Sequence, residues 1–284
     1  MEVKRVGVVG SGIMGAGVAE VAAKAGFEVV VRSRAQGSAD ALVAGLEKSL
    51  GKQVEKGRLD DAERQAILAR LSVTTDLGVL ADCDLVVESV VEDLATKRHL
   101  FNELDRVCAH SAVLATNTST LPVVDLAMET GRPDQVCGIH FFNPAPMMAL
   151  VEVVRAITSS DETVATARAF AERCGKTVVD VRDQAGFIVN ALLFPYLNNA
   201  VKLLDAGVAS RDDIDAAMKG GCNFPMGPLE LLDLVGLDTS LAILEALYAE
   251  FNDPNYAPAP LLRRMVSAER YGRKSRKGFY DYER

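Results

Sequence analysis

The sequence predicts an α/β fold: a mostly parallel sheet with helices on both faces, followed by an all-helical C-terminal domain. Three observations carry this. Short Val-rich runs recur as far as Val181, each nearly all apolar, as strands buried on both faces are. Stretches rich in Ala, Leu, Glu and Lys separate several of them, and such alternation builds a parallel sheet between helices. Beyond Asp183 the strand-like runs stop, and Gly186 to Ala268 reads as amphipathic helix.

Strands are expected in order at Val6–Val9, Val29–Val31, Leu85–Val87, Val113–Ala115, Val136–Ile139, Val151–Val154 and Val178–Val181. The helical region is broken by Gly220-Gly221, by Phe224-Pro225-Met226-Gly227-Pro228 and by the Pro-rich stretch Pro254–Pro260. At 284 residues the chain is long enough for two domains of about 150 residues each. The boundaries are set at 1–182 and 183–284.

Composition narrows the function. Apolar residues make up 49% and charged residues 25%, the balance of a globular protein with a sizeable core. Lys plus Arg number 31 against 39 Asp plus Glu, a net charge of −8. That argues against a nucleic-acid partner, which needs a basic face to replace phosphate counterions. No apolar run approaches the roughly 20 residues of a membrane-spanning helix. The first strand begins almost at once after MEVKR, which leaves no room for a signal or transit peptide. Five cysteines, at 83, 108, 137, 174 and 222, show no C-x-x-C spacing and read as reduced thiols in a cytoplasm. His99, His110 and His140 have no partner at ligand spacing, so no metal is expected.

Residues 7–31 read GVVGSGIMGAGVAEVAAKAGFEVVV. Gly10, Gly12 and Gly15 form G-x-G-x-x-G after an apolar strand and at the start of an Ala-rich helix, with a second strand close behind. In that context the motif is a dinucleotide-binding βαβ unit, and the first domain is Rossmann-type. Gly10 allows the tight turn, Gly12 lets a pyrophosphate approach, and Gly15 lets helix and strand pack. Ile13 and Met14 complete the turn around the phosphates, where the helix N-terminus offers free N–H groups.

An acidic residue normally ends the second strand and accepts a hydrogen bond from the ribose 2′-hydroxyl of NAD. Here Arg32-Ser33-Arg34 stands in its place. Ser33 cannot repel a 2′-phosphate, and Arg34 with Arg32 could attract one, so both NAD and NADP are candidate cofactors. Two solvated surface arginines are the alternative.

Three further segments follow strands: ATNTSTL at 115–121, GIHFFNPAP at 138–146 with Glu152 beyond it, and DQAGFIVN at 183–190. Polar residues at the carboxyl ends of parallel strands are where open α/β sheets bind ligands. His140 is the one histidine so placed, and imidazole exchanges a proton near neutral pH. Read alone, a histidine there is more often structural. Ser49, Lys52 and Lys56 share one face of the helical stretch ALVAGLEKSLGKQVEKG, fit either to meet phosphates or to lie solvated.

Taken together, GSGIMGAG, DLVVESVVED with Lys97, NTST, HFFNPAP, LVEVV, DQAGFIVN, NFPMGPLELLDLVGLD and KSRKGFYDY resemble the L-3-hydroxyacyl-CoA dehydrogenase family. The likeness runs over nearly the whole chain and is nearest to the stand-alone bacterial 3-hydroxybutyryl-CoA dehydrogenases. The resemblance implies that His140 is the general base and that Glu152 orients it. It implies that Ser119 and Asn190 hold the substrate oxygen and the base. Glu92, Lys97, Ser119, Asn143 and Lys274 match cofactor contacts, and Asn117 of NTST joins them. Ser49 and Lys56, with Lys52 between them, match the contact to coenzyme A. A homodimer through the helical domain, with the acyl group bound between the domains, is also implied.

The implied reaction is reversible hydride transfer between a nicotinamide dinucleotide and C3 of a 3-hydroxyacyl-CoA thioester. Oxidation removes a hydride from carbon and a proton from oxygen, and the base takes the proton. Three departures from the family pattern stand out: Ser33 for the acid, Ala191 for a frequent arginine and Ala185 for a frequent proline. A dehydrogenase acting on a free 3-hydroxy acid and a non-catalytic dinucleotide-binding relative are the competing readings. The length leaves no room for a fused hydratase.

Overall fold

The computed structural model describes residues 2–283. The chain divides between Asp183 and Gln184 into two compact units. The first holds β1 (Arg5–Val9), α1 (Ile13–Lys24), β2 (Glu28–Arg32), α2 (Gln36–Glu55), α3 (Asp61–Ala69) and β3 (Leu71–Thr74). It continues through β4 (Leu85–Glu88), α4 (Leu94–Val107), β5 (Val113–Thr116), α5 (Val123–Ala127), β6 (Val136–Phe141), β7 (Leu150–Arg155), α6 (Asp161–Arg173) and β8 (Thr177–Arg182).

These strands form one eight-stranded sheet in the order β3-β2-β1-β4-β5-β6-β7-β8. All neighbours pair in parallel except β6 and β7. The central strands are buried along nearly their whole length, which explains their near-continuous Val, Leu and Ala. Strand order reverses at β1, where β2 lies on one side and β4 on the other. The crevice outside the carboxyl ends of β1 and β4 is therefore the topological switch point.

β3 was not among the expected strands. It has four residues, Leu-Ser-Val-Thr, none fully buried, at the edge of the sheet. An edge strand loses the apolar continuity that reveals its buried neighbours, and two polar residues in four hide it further.

The second unit is helical: α7 (Val189–Asp205), α8 (Arg211–Cys222), α9 (Pro228–Val235), α10 (Leu237–Phe251) and α11 (Pro260–Ser267). Leu197, Leu229, Leu232, Leu244, Leu247 and Leu262 form its own buried core. Gly186 opens it with φ +75°, and a Cβ there would sit 2.7 Å from Leu247 Cδ2, so DQAGFIVN needs glycine on two counts.

Candidate active site

The glycine-rich turn is built as its spacing requires. Gly10 has φ +120°, and a Cβ there would lie 2.4 Å from the Ser89 carbonyl oxygen; at Gly15 it would lie 2.0 Å from that of Gly10. A Cβ at Gly12 would meet nothing within 4 Å and would project into open space. Gly12 is also the N-cap of α1 and has no side chain to cap it, which leaves helix N–H groups for an anion.

That space is a cavity of about 760 Å³ at the switch point. Gly10, Gly12, Ile13, Met14, Ser33, Arg34 and Asn143 line it, as do Arg32, Val91, His99 and Glu103. Volume, glycine cradle and helix terminus fit a dinucleotide.

Ser33 lines the cavity and also has bonds within the protein. It is fully buried, its hydroxyl donates to the Ala35 carbonyl at 3.0 Å, and its Oγ lies 2.8 Å from Ser11 Oγ. With its one proton spent on Ala35, Ser33 accepts from Ser11 and ties the glycine-rich turn to the end of β2. A ribose hydroxyl could meet it only as a donor. Arg32 and Arg34 have no carboxylate partner within 4 Å among the described residues, and Arg32 Nε is buried with no hydrogen-bond partner.

β6 and β7 bring together the proton-handling pair. Being antiparallel, they set His140 directly opposite Glu152 in register. His140 Nδ1 lies 2.7 Å from Glu152 Oε2; the histidine is 5% exposed and the glutamate 0%. A carboxylate only accepts, so Nδ1 carries the hydrogen, and the neutral ring keeps its lone pair on Nε2. The Phe142 ring packs 4.5 Å from the imidazole. Asn117 Oδ1 accepts from Phe141 N at 2.8 Å and ties the end of β5 to the strand that carries His140.

Glu92 organises the loop after β5. Its Oε1 accepts from Thr118 Oγ1 at 2.5 Å, Ser119 N at 2.9 Å and Ser119 Oγ at 3.3 Å. Burial pushes the Glu92 carboxyl up. The Lys97 ammonium and the bonds from Thr118 and Ser119 outweigh burial and hold it below the usual carboxylate range. Lys97 itself is 1% exposed, with its amine on Glu88 and Glu92. Lys97 stands behind Glu92, with its amine turned to the two carboxylates.

On α2, Ser49 is half-buried and donates to Glu20 Oε2 at 3.0 Å. Buried Glu20 also receives Lys24 and Gln53, so the Ser49 hydroxyl belongs to an α1–α2 network. Lys52 and Lys56 are exposed.

In the second unit, Asn190 is buried in the first turn of α7. Lys274 pairs with Asp238, and its amine stands 5.5 Å from the centre of the Tyr271 ring.

Sequence reasoning missed three buried carboxylates. Glu88 ends β4. Asp215 accepts from Leu229 N, Glu230 N and Tyr280 Oη. Asp233 accepts from Phe279 N, Tyr280 N and Tyr282 Oη. A Cβ on Gly227 would fall 2.2 Å from Asp215 Cγ, and one on Gly278 2.0 Å from Asp233 Oδ1. The glycines of NFPMGPLE and KGFYDY therefore make room for carboxylates that hold the C-terminal tail. The pairing of Asp and Gly across those segments was the available signal.

Comparison with known proteins agrees with this architecture. Residues 5–184 match the 3-hydroxyacyl-CoA dehydrogenase NAD binding domain, and residues 186–282 match the C-terminal domain of the same family. A probable 3-hydroxybutyryl-CoA dehydrogenase of Deinococcus radiodurans is 49% identical over 97% of this chain and 99% of its own. A 3-hydroxybutyryl-CoA dehydrogenase of Clostridioides difficile is 46% identical over 99% of this chain and 100% of its own. The crystal structure of (S)-3-hydroxybutyryl-CoA dehydrogenase from Ralstonia eutropha superposes with a TM-score of 0.97 at 40% identity, covering 100% of both chains. With both family domains matched in order along nearly its whole length, the chain belongs to the 3-hydroxyacyl-CoA dehydrogenase family.

Proposed function

We propose that this protein is a 3-hydroxybutyryl-CoA dehydrogenase, interconverting a 3-hydroxyacyl-CoA and its 3-keto form. The observation that carries the reading is the buried His140–Glu152 pair at 2.7 Å, in the same unit as the dinucleotide cavity. Asn143 lines that cavity three residues beyond His140.

A bound nicotinamide dinucleotide supplies the hydride acceptor or donor. The turn Gly10–Gly15 and the N-terminus of α1 hold its phosphates. His140 Nε2 takes the hydroxyl proton of the substrate as the carbonyl forms, and returns it to the ketone oxygen in reduction. Glu152, hydrogen-bonded through Nδ1, fixes the tautomer and favours the imidazolium. Ser119 would hold the substrate oxygen for that proton transfer. Lys52 and Lys56 meet the phosphates of coenzyme A.

His140→Gln should keep cofactor binding while kcat with acetoacetyl-CoA falls by about 100-fold or more, as loss of a general base does. Turnover near the wild-type rate would overturn the mechanism.

NADPH is used at least comparably with NADH. Two arginines without carboxylate partners line the cavity where the second strand ends, and no acid stands there; Glu103 on the same wall is the opposing charge. The test is the ratio of kcat/KM for the two cofactors in wild type and in Ser33→Asp. A preference for NADH of roughly 100-fold, about 2.7 kcal/mol, would refute it, as would a ratio unmoved by Ser33→Asp.

The protein acts as a cytoplasmic homodimer. Exposed Leu192, Leu203, Val208, Phe224, Leu234 and Tyr248 on the helical unit supply the apolar surface for a second copy.

A further inference from the structure

Glu88 ends β4 with 0% exposure and plays no part in the reaction as described. Three groups donate to its carboxylate. Val90 N reaches Oε1 at 2.6 Å, Thr116 Oγ1 reaches Oε2 at 2.7 Å, and Lys97 Nζ spans both oxygens at 2.8 and 2.9 Å. Lys97 Nζ also stands 3.1 Å from Glu92 Oε2. The ammonium donates to both oxygens of Glu88, and its contact with Glu92 is an ion pair. With Oε2 held from behind, Glu92 turns Oε1 to Thr118 and Ser119. A continuous series of polar contacts, hydrogen bonds joined by the Lys97–Glu92 ion pair, thus runs from the end of β4 to the Ser119 loop.

We propose that Glu88 is a positioning residue for the Ser119 loop, acting through Lys97 and Glu92. Without it, Lys97 would be a buried cation with only Glu92 to serve, and would draw that carboxylate off the loop. Glu88 and Lys97 are a fully buried charge pair, costly to bury, while Glu92 beside them is partly exposed; the cost is offset by the geometry the pair fixes. The proposal rests on the reading of Ser119 as the contact to the substrate oxygen.

The experiment compares Glu88→Gln, the double variant Glu88→Gln/Lys97→Met and Ser119→Ala, measuring Tm, KM for acetoacetyl-CoA, Kd for the reduced cofactor and kcat. Glu88→Gln should lower Tm and reduce kcat about 10-fold or more, with KM and Kd moving less than about 3-fold, since a misplaced loop costs transition-state contacts above all. The double variant removes both charges, so it should recover most of the Tm while kcat stays low. Wild-type kcat in either Glu88 variant would overturn the proposal. A purely structural role would let kcat recover together with Tm in the double variant. Slow Ser119→Ala beside a fast double variant would refute the role of Glu88 alone. Ser119→Ala with wild-type kcat would refute the reading of Ser119 and the proposal with it.

Discussion

His140 and Glu152 show how far a single residue can be read. His140 follows one strand-like run and Glu152 lies inside another, but their spacing of 12 says nothing of contact, because an antiparallel register cannot be read from apolar strands alone. Ser33 and Lys97 stand in motifs, yet Ser11 and Glu88, the partners that tie them to other elements, lie 22 and 9 positions away. Glu88 follows the apolar run Leu85–Val87, and nothing local marks its partners Thr116 and Lys97. The cysteines are simpler. Burial pushes the thiols of Cys83, Cys137 and Cys174 up to about 12 and that of Cys108 to about 11. A thiol at 12 is only about one part in ten thousand thiolate at pH 8, and the thiolate is the nucleophile. Iodoacetamide at that pH should therefore modify exposed Cys222 first, and mass spectrometry of the native protein should show one adduct. Early labelling of Cys137 would contradict the fold of β6.

At the scale of the element, G-x-G-x-x-G was the most legible feature, because each glycine answers a local demand of the turn. α2 was less so. Periodicity put Ser49, Lys52 and Lys56 on one face, but the structure divides them between an internal bond to Glu20 and solvent. The proposed contact to coenzyme A therefore falls to the two lysines alone. Lys56→Glu should raise KM for acetoacetyl-CoA several-fold with a smaller effect on kcat, because it removes binding common to ground and transition states. The increase should shrink in 0.5 M salt, where exposed charges are screened. KM unchanged at low ionic strength would return both lysines to a solvated role. The C-terminal elements were legible as motif and opaque as mechanism: Asp215 and Asp233 hold the tail through contacts across 46 to 65 positions, beyond the reach of any local pattern.

Across the whole molecule, alternation of apolar runs and helices gave the sheet, and the loss of that alternation marked the helical unit. The half-exposed edge strand β3 escaped, as did the antiparallel pairing of β7 that sets His140 opposite Glu152. Among the described residues no helix is long and apolar enough to cross a membrane, and no cluster of His, Cys, Asp or Glu could hold a metal. The account therefore makes one demand of the assembled protein: a nicotinamide cofactor and a coenzyme A thioester must meet at His140. Thioester and free acid separate this claim from its nearest competitor, because only the thioester carries the coenzyme A that Lys52 and Lys56 would hold. Binding energy from a remote part of a substrate shows in kcat/KM. The most direct test is kcat/KM for oxidation of reduced cofactor by acetoacetyl-CoA, set beside the same constant for free acetoacetate. The account predicts that the thioester is favoured by roughly 100-fold or more, about 2.7 kcal/mol of transition-state binding. Equal constants for the two, or turnover of the free acid alone, would contradict it.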